Sequence, residues 1–126
     1  MITEDYVSFE TAKLLKEKGF VTDNITILVS NDNNHFVSGN SGCDFLLQNG
    51  YEVYPAPTLQ IAMKWLREEK HIPIEILWHY DSNSDAEEWY FIHHAELRIL
   101  PNDIEYYETY EEATEAAIKY CLENLI

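Results

Sequence analysis

Residues 74–94, IEILWHYDSNSDAEEWYFIHH, decide the fold, because two β-prone runs flank a short polar stretch within them. The runs are Ile74–Tyr80 and Glu88–His94, and the turn-forming stretch Asp81–Glu87 joins them. Alternate side chains of a strand share a face. The residues that share a face are Ile74, Ile76, Trp78 and Tyr80 in the first run, and Trp89, Phe91 and His93 in the second. The stretch therefore predicts an antiparallel hairpin.

Three helices are predicted outside this hairpin. Ser8 begins the first, which runs to about Lys18, where Gly19 supplies the left-handed residue of its end. The second follows Pro55-Ala56-Pro57 and runs from Thr58 to about Lys70. The third begins with a capping box of Thr109 and Glu112 and runs to about Asn124.

The remaining strands are predicted in the first half of the chain. The β-branched run Asn24–Ser30 is expected to pair with His35–Ser38. A further hairpin is expected between Phe45–Gln48 and Tyr51–Tyr54, because Asn49-Gly50 favours a type I′ turn. The order is α-β-β-(β-β)-α-β-β-α, which predicts an α+β fold in which about three helices cover an antiparallel sheet.

The length of 126 residues predicts a single domain over residues 1–126, and the content of 46% hydrophobic and 13% aromatic residues excludes a disordered chain. The formal net charge is −15, and residues 71–126 carry 2 basic against 13 acidic side chains. Direct binding to nucleic acid or to anionic lipid is disfavoured, since both need basic side chains. No apolar run approaches the roughly 20 residues of a membrane helix, and MITEDYVSFE lacks the features of a secretory signal, so a cytoplasmic location is expected.

Three segments resemble a family of small proteins from gut Bacteroidetes and their phages and mobile elements. They are YVSFETAKLLKEKGF (6–20), YPAPTLQIAMKWLREEKHI (54–72) and YETYEEATEAAIKYCLENLI (107–126). The resemblance implies an intracellular protein in a mobile-element setting. It brings no activity and no catalytic residues to this chain.

Histidines of the predicted hairpin are the candidate metal ligands. With Asp81–Glu88 as the loop, His79 faces Tyr90 and shares a side with His94. His79 with His93 or His94 could then converge on a metal ion, with Asp81 as a third ligand. Exposed strand histidines are common without a metal, so no metal and no cofactor are predicted.

The run Asp81-Ser82-Asn83-Ser84-Asp85 matches the first ligand positions of an EF-hand loop, but the match then fails. Ala86 stands where the loop needs glycine and Ile92 where it needs a bidentate glutamate, so a solvated hairpin loop is expected. Cys43 and Cys121 are predicted to be free thiols, with Cys121 as a small core residue. Cys43 lies beside Asp44 and lacks a basic environment, so no catalytic residue is predicted.

Aromatic and acidic side chains are the candidate interaction residues. The chain has nine tyrosines, five phenylalanines and three tryptophans, and residues of this kind are enriched at binding hot spots. The residues singled out are Trp78 and Trp89 on the hairpin, and Glu108, Glu111 and Glu115 near the start of the last helix.

Three hypotheses of function follow from these residues. The leading hypothesis is a non-enzymatic interaction domain that binds a protein partner, with a homodimer left open. The first alternative is a small enzyme or a ligand- or metal-binding domain that uses His79, His93 and His94. The second is a nucleic-acid mimic, in which the acids of 81–88 and 103–115 lie on one side and present a row of carboxylates.

Overall fold

The computed structural model describes residues 4–22, 25–37, 48–93 and 105–126. Its elements follow the order α-β-β-β-α-β-β-α, which confirms the predicted α+β class. They are α1 (Phe9–Glu17), β1 (Ile27–Ser30), β2 (His35–Val37), β3 (Val53–Pro55), α2 (Leu59–Glu69), β4 (Ile74–Asp81), β5 (Ala86–His93) and α3 (Tyr110–Asn124).

The chain divides into two compact units, residues 1–58 and 59–126. The first holds α1 and an antiparallel sheet in the order β2-β1-β3. The second holds α2, α3 and the antiparallel β4–β5 hairpin. The prediction of a single domain stays a prediction.

Both ends of α1 lie where the sequence predicts them. The Ser8 hydroxyl accepts a hydrogen bond from the Thr11 N–H, which is one of the amides left unpaired at a helix start. At the other end Gly19 has a φ of +95°, a backbone conformation that costs glycine little. The Phe20 N–H donates to the Leu15 carbonyl at 2.9 Å, as in a Schellman motif. Interactions between residues close in sequence therefore determine where α1 begins and ends.

Both edges of β1 are paired. Successive residues of this part of the chain donate their backbone hydrogen bonds to opposite sides. The Ser30 N–H donates to the Asn34 carbonyl on the β2 side at 3.0 Å, and the Asn31 N–H donates to the Glu52 carbonyl on the β3 side at 3.1 Å. Pro55 lies opposite Leu28, a register position where the two backbones exchange no hydrogen bonds. Its missing N–H therefore costs the sheet nothing.

The turn between β1 and β2 is closed by Asp32. Its carboxylate accepts hydrogen bonds from the hydroxyl of the buried Ser30, from the Asn34 N–H at 3.3 Å and from the Asn34 side-chain amide at 2.8 Å. These bonds, that of Ser30 first, lower the pKa of Asp32 below its ordinary value of 3.8. The predicted pairing of 24–30 with 35–38 is thus confirmed over β1 and β2, and residues 24 and 38 lie outside the described part of the chain.

The predicted hairpin across Asn49-Gly50 does not have the type I′ turn. Gly50 has a φ of +82°, but Asn49 is not among the described residues with positive φ. Gln48 has helical backbone, and Val53–Pro55 pairs with β1. A glycine with positive φ ends a helix as readily as it makes a hairpin turn, so the dipeptide alone cannot decide. Residues 45–47 lie outside the described part.

The helices of the second unit bury one stripe each. Thr109 caps α3 as predicted, with its side-chain oxygen accepting from the Glu112 N–H at 3.1 Å. Burial raises the pKa of the Cys121 thiol to about 12, as expected for a core cysteine. None of the described helices is long and apolar enough to cross a membrane. The buried residues are Leu59, Ala62 and Leu66 in α2, and Ala113, Thr114, Ala117, Ile118, Cys121 and Leu122 in α3.

Candidate functional site

The β4–β5 hairpin carries most of the candidate residues, and its loop is shorter than predicted. Asp81 pairs with Ala86, which leaves the four residues 82–85 as the turn. His79 therefore lies opposite Glu88 and not opposite Tyr90, so the predicted register is wrong by two residues. The reason is local: the Asp81 carboxylate accepts from the Asn83 N–H at 3.0 Å and from the Ser84 hydroxyl at 2.9 Å, which closes the turn early.

The register sorts the side chains into two faces. The faces predicted for the two runs are confirmed, because residues directly opposite share a face. We call the first the aromatic face: Ile74, Ile76, Trp78, Tyr80, Glu87, Trp89, Phe91 and His93. We call the second the acidic face: Glu75, Leu77, His79, Asp81, Ala86, Glu88, Tyr90 and Ile92. None of these residues is fully buried, although the structure describes all of them.

The β5 half of the aromatic face is covered by α3 and the residues that lead into it. Trp89 meets Tyr110 edge to face with ring centroids 5.5 Å apart, and His93 stacks on Tyr120 at 5.4 Å. Phe91 lies between Tyr107 and Tyr120, at 6.3 and 6.2 Å. Trp89, one of the predicted interaction residues, therefore belongs to the packing of this unit.

At the loop end of β4, two aromatic side chains of the same face are exposed. Trp78 and Tyr80 stack on each other at 6.2 Å, and 53% and 45% of their surfaces are exposed. Exposed aromatic rings beside each other on one sheet face are typical of interaction sites. The predicted candidate Trp78 thus lies at an exposed position, and Tyr80 joins it as a residue that the sequence reasoning did not single out.

The pairing of Tyr107 with Trp89 determines the direction of the backbone N–H and carbonyl groups of β4. The Trp89 N–H donates to the Tyr107 carbonyl at 2.8 Å, and the Tyr107 N–H donates to the Trp89 carbonyl at 2.7 Å. Both backbone groups of Trp89 therefore point away from β4. Trp78 lies opposite Trp89, so its own N–H and carbonyl point away from β5, to the outer edge of β4. The same holds for Ile76 and Tyr80 at the alternate positions.

That outer edge carries no strand among the described residues, since β4 pairs with β5 alone. Natural sheets shorten such edges or place proline or lysine on them. In the first unit β3 follows this rule, because it has three residues and contains Pro55. β4 has eight residues and contains neither proline nor lysine, and within the described part of the chain its outer edge has no partner strand.

His79 and His93 do not converge. His93 lies on the aromatic face against Tyr120, whereas His79 lies on the acidic face, 4.9 Å from the ring of Tyr106. The period of two therefore separates His79 from His93. His94 lies outside the described residues. No three His, Cys, Asp or Glu side chains among the described residues come together as a metal site.

The carboxylates of Asp81 and Asp85 accept hydrogen bonds within the hairpin turn. The flanks of this loop are strands, whereas those of an EF-hand loop would be helices. Asp85 has a φ of +55° and accepts a hydrogen bond from the Tyr80 hydroxyl, which raises the pKa of that phenol above 10.0. Hydrogen bonds from the Asn83 backbone and then the Ser84 hydroxyl lower the pKa of Asp81 below 3.8. Asp81 therefore stays ionised at neutral pH.

The three acids singled out near the start of α3 differ in exposure. Glu108 and Glu111 are exposed, and Glu115 is half-buried. Glu87 alone shares the aromatic face with the side chains that α3 covers, while Asp81 and Glu88 lie on the acidic face. Glu87 thus lies on the opposite face of the hairpin from Asp81 and Glu88, and the hypothesis that the acids of 81–88 and 103–115 form one row stays a prediction. Cys43 and Asp103 lie outside the described residues.

No family model, curated protein or solved structure that we compared with the chain matches it.

Proposed function

We propose that the chain is a non-enzymatic protein-interaction domain, active in the cytoplasm and encoded by a phage or mobile element of gut Bacteroidetes. It binds a protein partner through the β4 half of the hairpin. The observation that supports this proposal is the exposed stack of Trp78 and Tyr80 on β4. Side chains of this kind contribute strongly to binding because they bury a large area at a small entropic cost.

The experiment is affinity capture from a Bacteroidetes lysate with three forms of the immobilised chain. They are the wild type, the double variant Trp78→Ser/Tyr80→Ser, and the control Val37→Ser. Val37 suits the control because it is also a strand residue and is 57% exposed, but lies in the other unit.

The proposal expects one protein to be retained equally by the wild type and the control and lost from the double variant. Retention by all three forms would place the contact elsewhere and contradict it. Failure to retain any protein, together with turnover of a defined small molecule by the purified chain, would replace it with the enzymatic alternative.

A further inference from the structure

We infer that the exposed rings of Trp78 and Tyr80, together with the carboxylate of Glu87, bind an arginine side chain of the partner protein. We call these three residues the ring–carboxylate cluster. The inference rests on the proposed interaction function and deepens it, because it names the chemical group that this part of the hairpin recognises. A guanidinium group stacks on an aromatic ring and pairs with a carboxylate at the same time.

The register of the hairpin brings the three side chains together on the aromatic face. Tyr80 lies directly opposite Glu87, and Trp78 lies opposite Trp89, two residues further along β5. The backbone groups of Trp89 bond to Tyr107 and not to β4. Tyr80 and Glu87, two positions along, are therefore also a non-hydrogen-bonded pair, in which opposite side chains approach most closely. Glu87 is thus the direct neighbour of Tyr80 and the diagonal neighbour of Trp78.

All three side chains of the cluster are exposed. The rings of Trp78 and Tyr80 stack with 29° between their planes, and each keeps a large exposed surface. Glu87 is exposed at the position beside them. A group from solvent therefore reaches the rings and the carboxylate from the same side of the sheet.

Tyr80 is held in place by the hairpin loop. Its hydroxyl donates a hydrogen bond to the carboxylate of Asp85. That bond is the main reason why the pKa of Tyr80 is raised above 10.0, and the negative charge of Glu87 adds to the effect. The ring is thus oriented before a ligand binds, which lowers the entropic cost of binding. Since the Asp85 carboxylate already accepts this bond, the pairing with the cation is assigned to Glu87.

Charge and shape together select arginine. Residues 71–93 contain five acidic side chains and neither lysine nor arginine, so a cation is attracted to the hairpin. Lysine carries a compact and strongly hydrated charge. The guanidinium group of arginine is planar and weakly hydrated, so it lies flat on a ring and presents two N–H donors to one carboxylate. A second copy of this chain is opposed, because each copy carries a net charge of −15.

The test is an NMR titration of the full chain with short capped peptides of glycine and serine around one central residue. The central residue is arginine, lysine or citrulline, which has the shape of arginine without its charge. Tetramethylammonium serves as a small cation without a peptide. Binding is followed at the ring resonances of Trp78 and Tyr80.

Two pairs of variants locate the site. Glu87→Gln and its matched control Glu88→Gln each remove one negative charge from β5, but Glu88 lies on the acidic face. Trp78→Ser removes a ring of the cluster, and Val37→Ser changes an exposed strand residue of the other unit.

We expect the arginine peptide to bind about threefold more tightly than the lysine peptide and at least about tenfold more tightly than the citrulline peptide. Glu87→Gln should weaken the binding of the arginine peptide about threefold, and Glu88→Gln should leave it nearly unchanged. Trp78→Ser should weaken it about threefold or more, and Val37→Ser should not change it. The affinity should fall as salt rises.

Five results would overturn the inference. Equal binding of the citrulline peptide would show that charge is not recognised, and equal binding of the lysine peptide would refute the stacked guanidinium. Equal losses in Glu87→Gln and Glu88→Gln would mean general attraction to an acidic hairpin. Unchanged binding in Trp78→Ser would place the cation elsewhere. Tighter binding of tetramethylammonium than of the arginine peptide would assign the cluster to a small cationic ligand.

The amide spectrum of each variant checks its fold. If Trp78→Ser does not fold, the comparison of Glu87→Gln with Glu88→Gln still decides, because both change only a side chain of the hairpin surface. The titrations use no lysate, so the inference can fail while the captured partner is still lost from the Trp78→Ser/Tyr80→Ser variant. That result would leave the proposed function standing, whereas a lysate that yields no partner would count against the proposed function itself.

Discussion

The two sheets of this chain use their backbone hydrogen bonds differently. In β1 the residues donate alternately to the β2 side and to the β3 side, so no amide from Leu28 to Asn31 faces an empty edge. In β4 every second residue faces outward, where no described strand lies. β1 also buries Val29 and Ser30 completely, whereas β4 has no fully buried residue. A saturated central strand contributes to stability, and an open edge keeps the capacity to bind.

The difference in burial predicts a large difference between two identical substitutions. Leu15 of α1 is 1% exposed, and Leu15→Ala should lower the free energy of unfolding by about 2–5 kcal/mol through lost burial and a residual cavity. Leu77 of β4 is only half-buried, so Leu77→Ala should cost at least about 1 kcal/mol less. Urea denaturation measures both. Equal losses would mean that the hairpin is as tightly packed as the first unit.

Proline substitutions sharpen the comparison of the two strands. The backbones of Leu77 and Tyr90 form a hydrogen-bonded pair, so proline at position 77 removes an interstrand hydrogen bond and leaves the Tyr90 carbonyl unpaired. This should lower the free energy of unfolding by about 1–3 kcal/mol relative to alanine at the same position. At Trp78 the lost N–H faces the open edge, so the proline-to-alanine difference should be smaller. In β1 both Leu28 and Val29 should show the larger difference, because each donates to a neighbouring strand.

Denaturation of the matched alanine and proline variants checks this alternation. Equal penalties at Leu77 and Trp78 would contradict the assigned direction of the β4 backbone. Unequal penalties at Leu28 and Val29 would contradict the two-sided pairing of β1.

The two turns should respond to acid in the same direction. The pKa of Asp32 and that of Asp81 are both lowered below 3.8 in the folded chain, by the hydrogen bonds that close each turn. A carboxylate of this kind stabilises the fold above its unfolded pKa, and the contribution disappears as pH falls through the folded pKa. Asp32→Asn and Asp81→Asn should therefore destabilise the chain at neutral pH and match the wild type at low pH.

Titration of the two carboxyl groups by NMR gives the pKa values directly. A value above 3.8 for either group would contradict the turn geometry. Since Asp32 is exposed and Asp81 is only half-buried, this is the smallest of the expected effects on stability.

Local chemistry explains what the sequence could predict. Ser8, Gly19 and Thr109 carry their signals within a few residues, and the helix ends that they define are confirmed. The alternating pattern of β4 and β5 likewise predicted their faces correctly. Such signals are sufficient because capping and strand alternation depend on neighbours in the chain.

The parts that could not be predicted depend on choices between local alternatives or on distant pairing. The register of β4 and β5 differs from the predicted one because hydrogen bonds to the Asp81 carboxylate favour a four-residue turn over the longer predicted loop. The backbone pairing of Trp89 with Tyr107 joins residues far apart in sequence. The one sequence signal for it is the strand preference of the two tyrosines Tyr106 and Tyr107. Without that contact, the outward direction of the Trp78 backbone cannot be derived, and the open edge remains hidden in the sequence.

Residue-resolved amide exchange of the free full chain tests the open edge most directly, because it requires no partner. The account predicts slow exchange at Leu77 and His79, which face β5, and exchange at least about tenfold faster at Trp78 and Tyr80. In β1, Leu28 and Val29 should both be slow. Exchange at Trp78 and Tyr80 as slow as at Leu77 and His79 would show that the edge is already occupied, and would contradict the account.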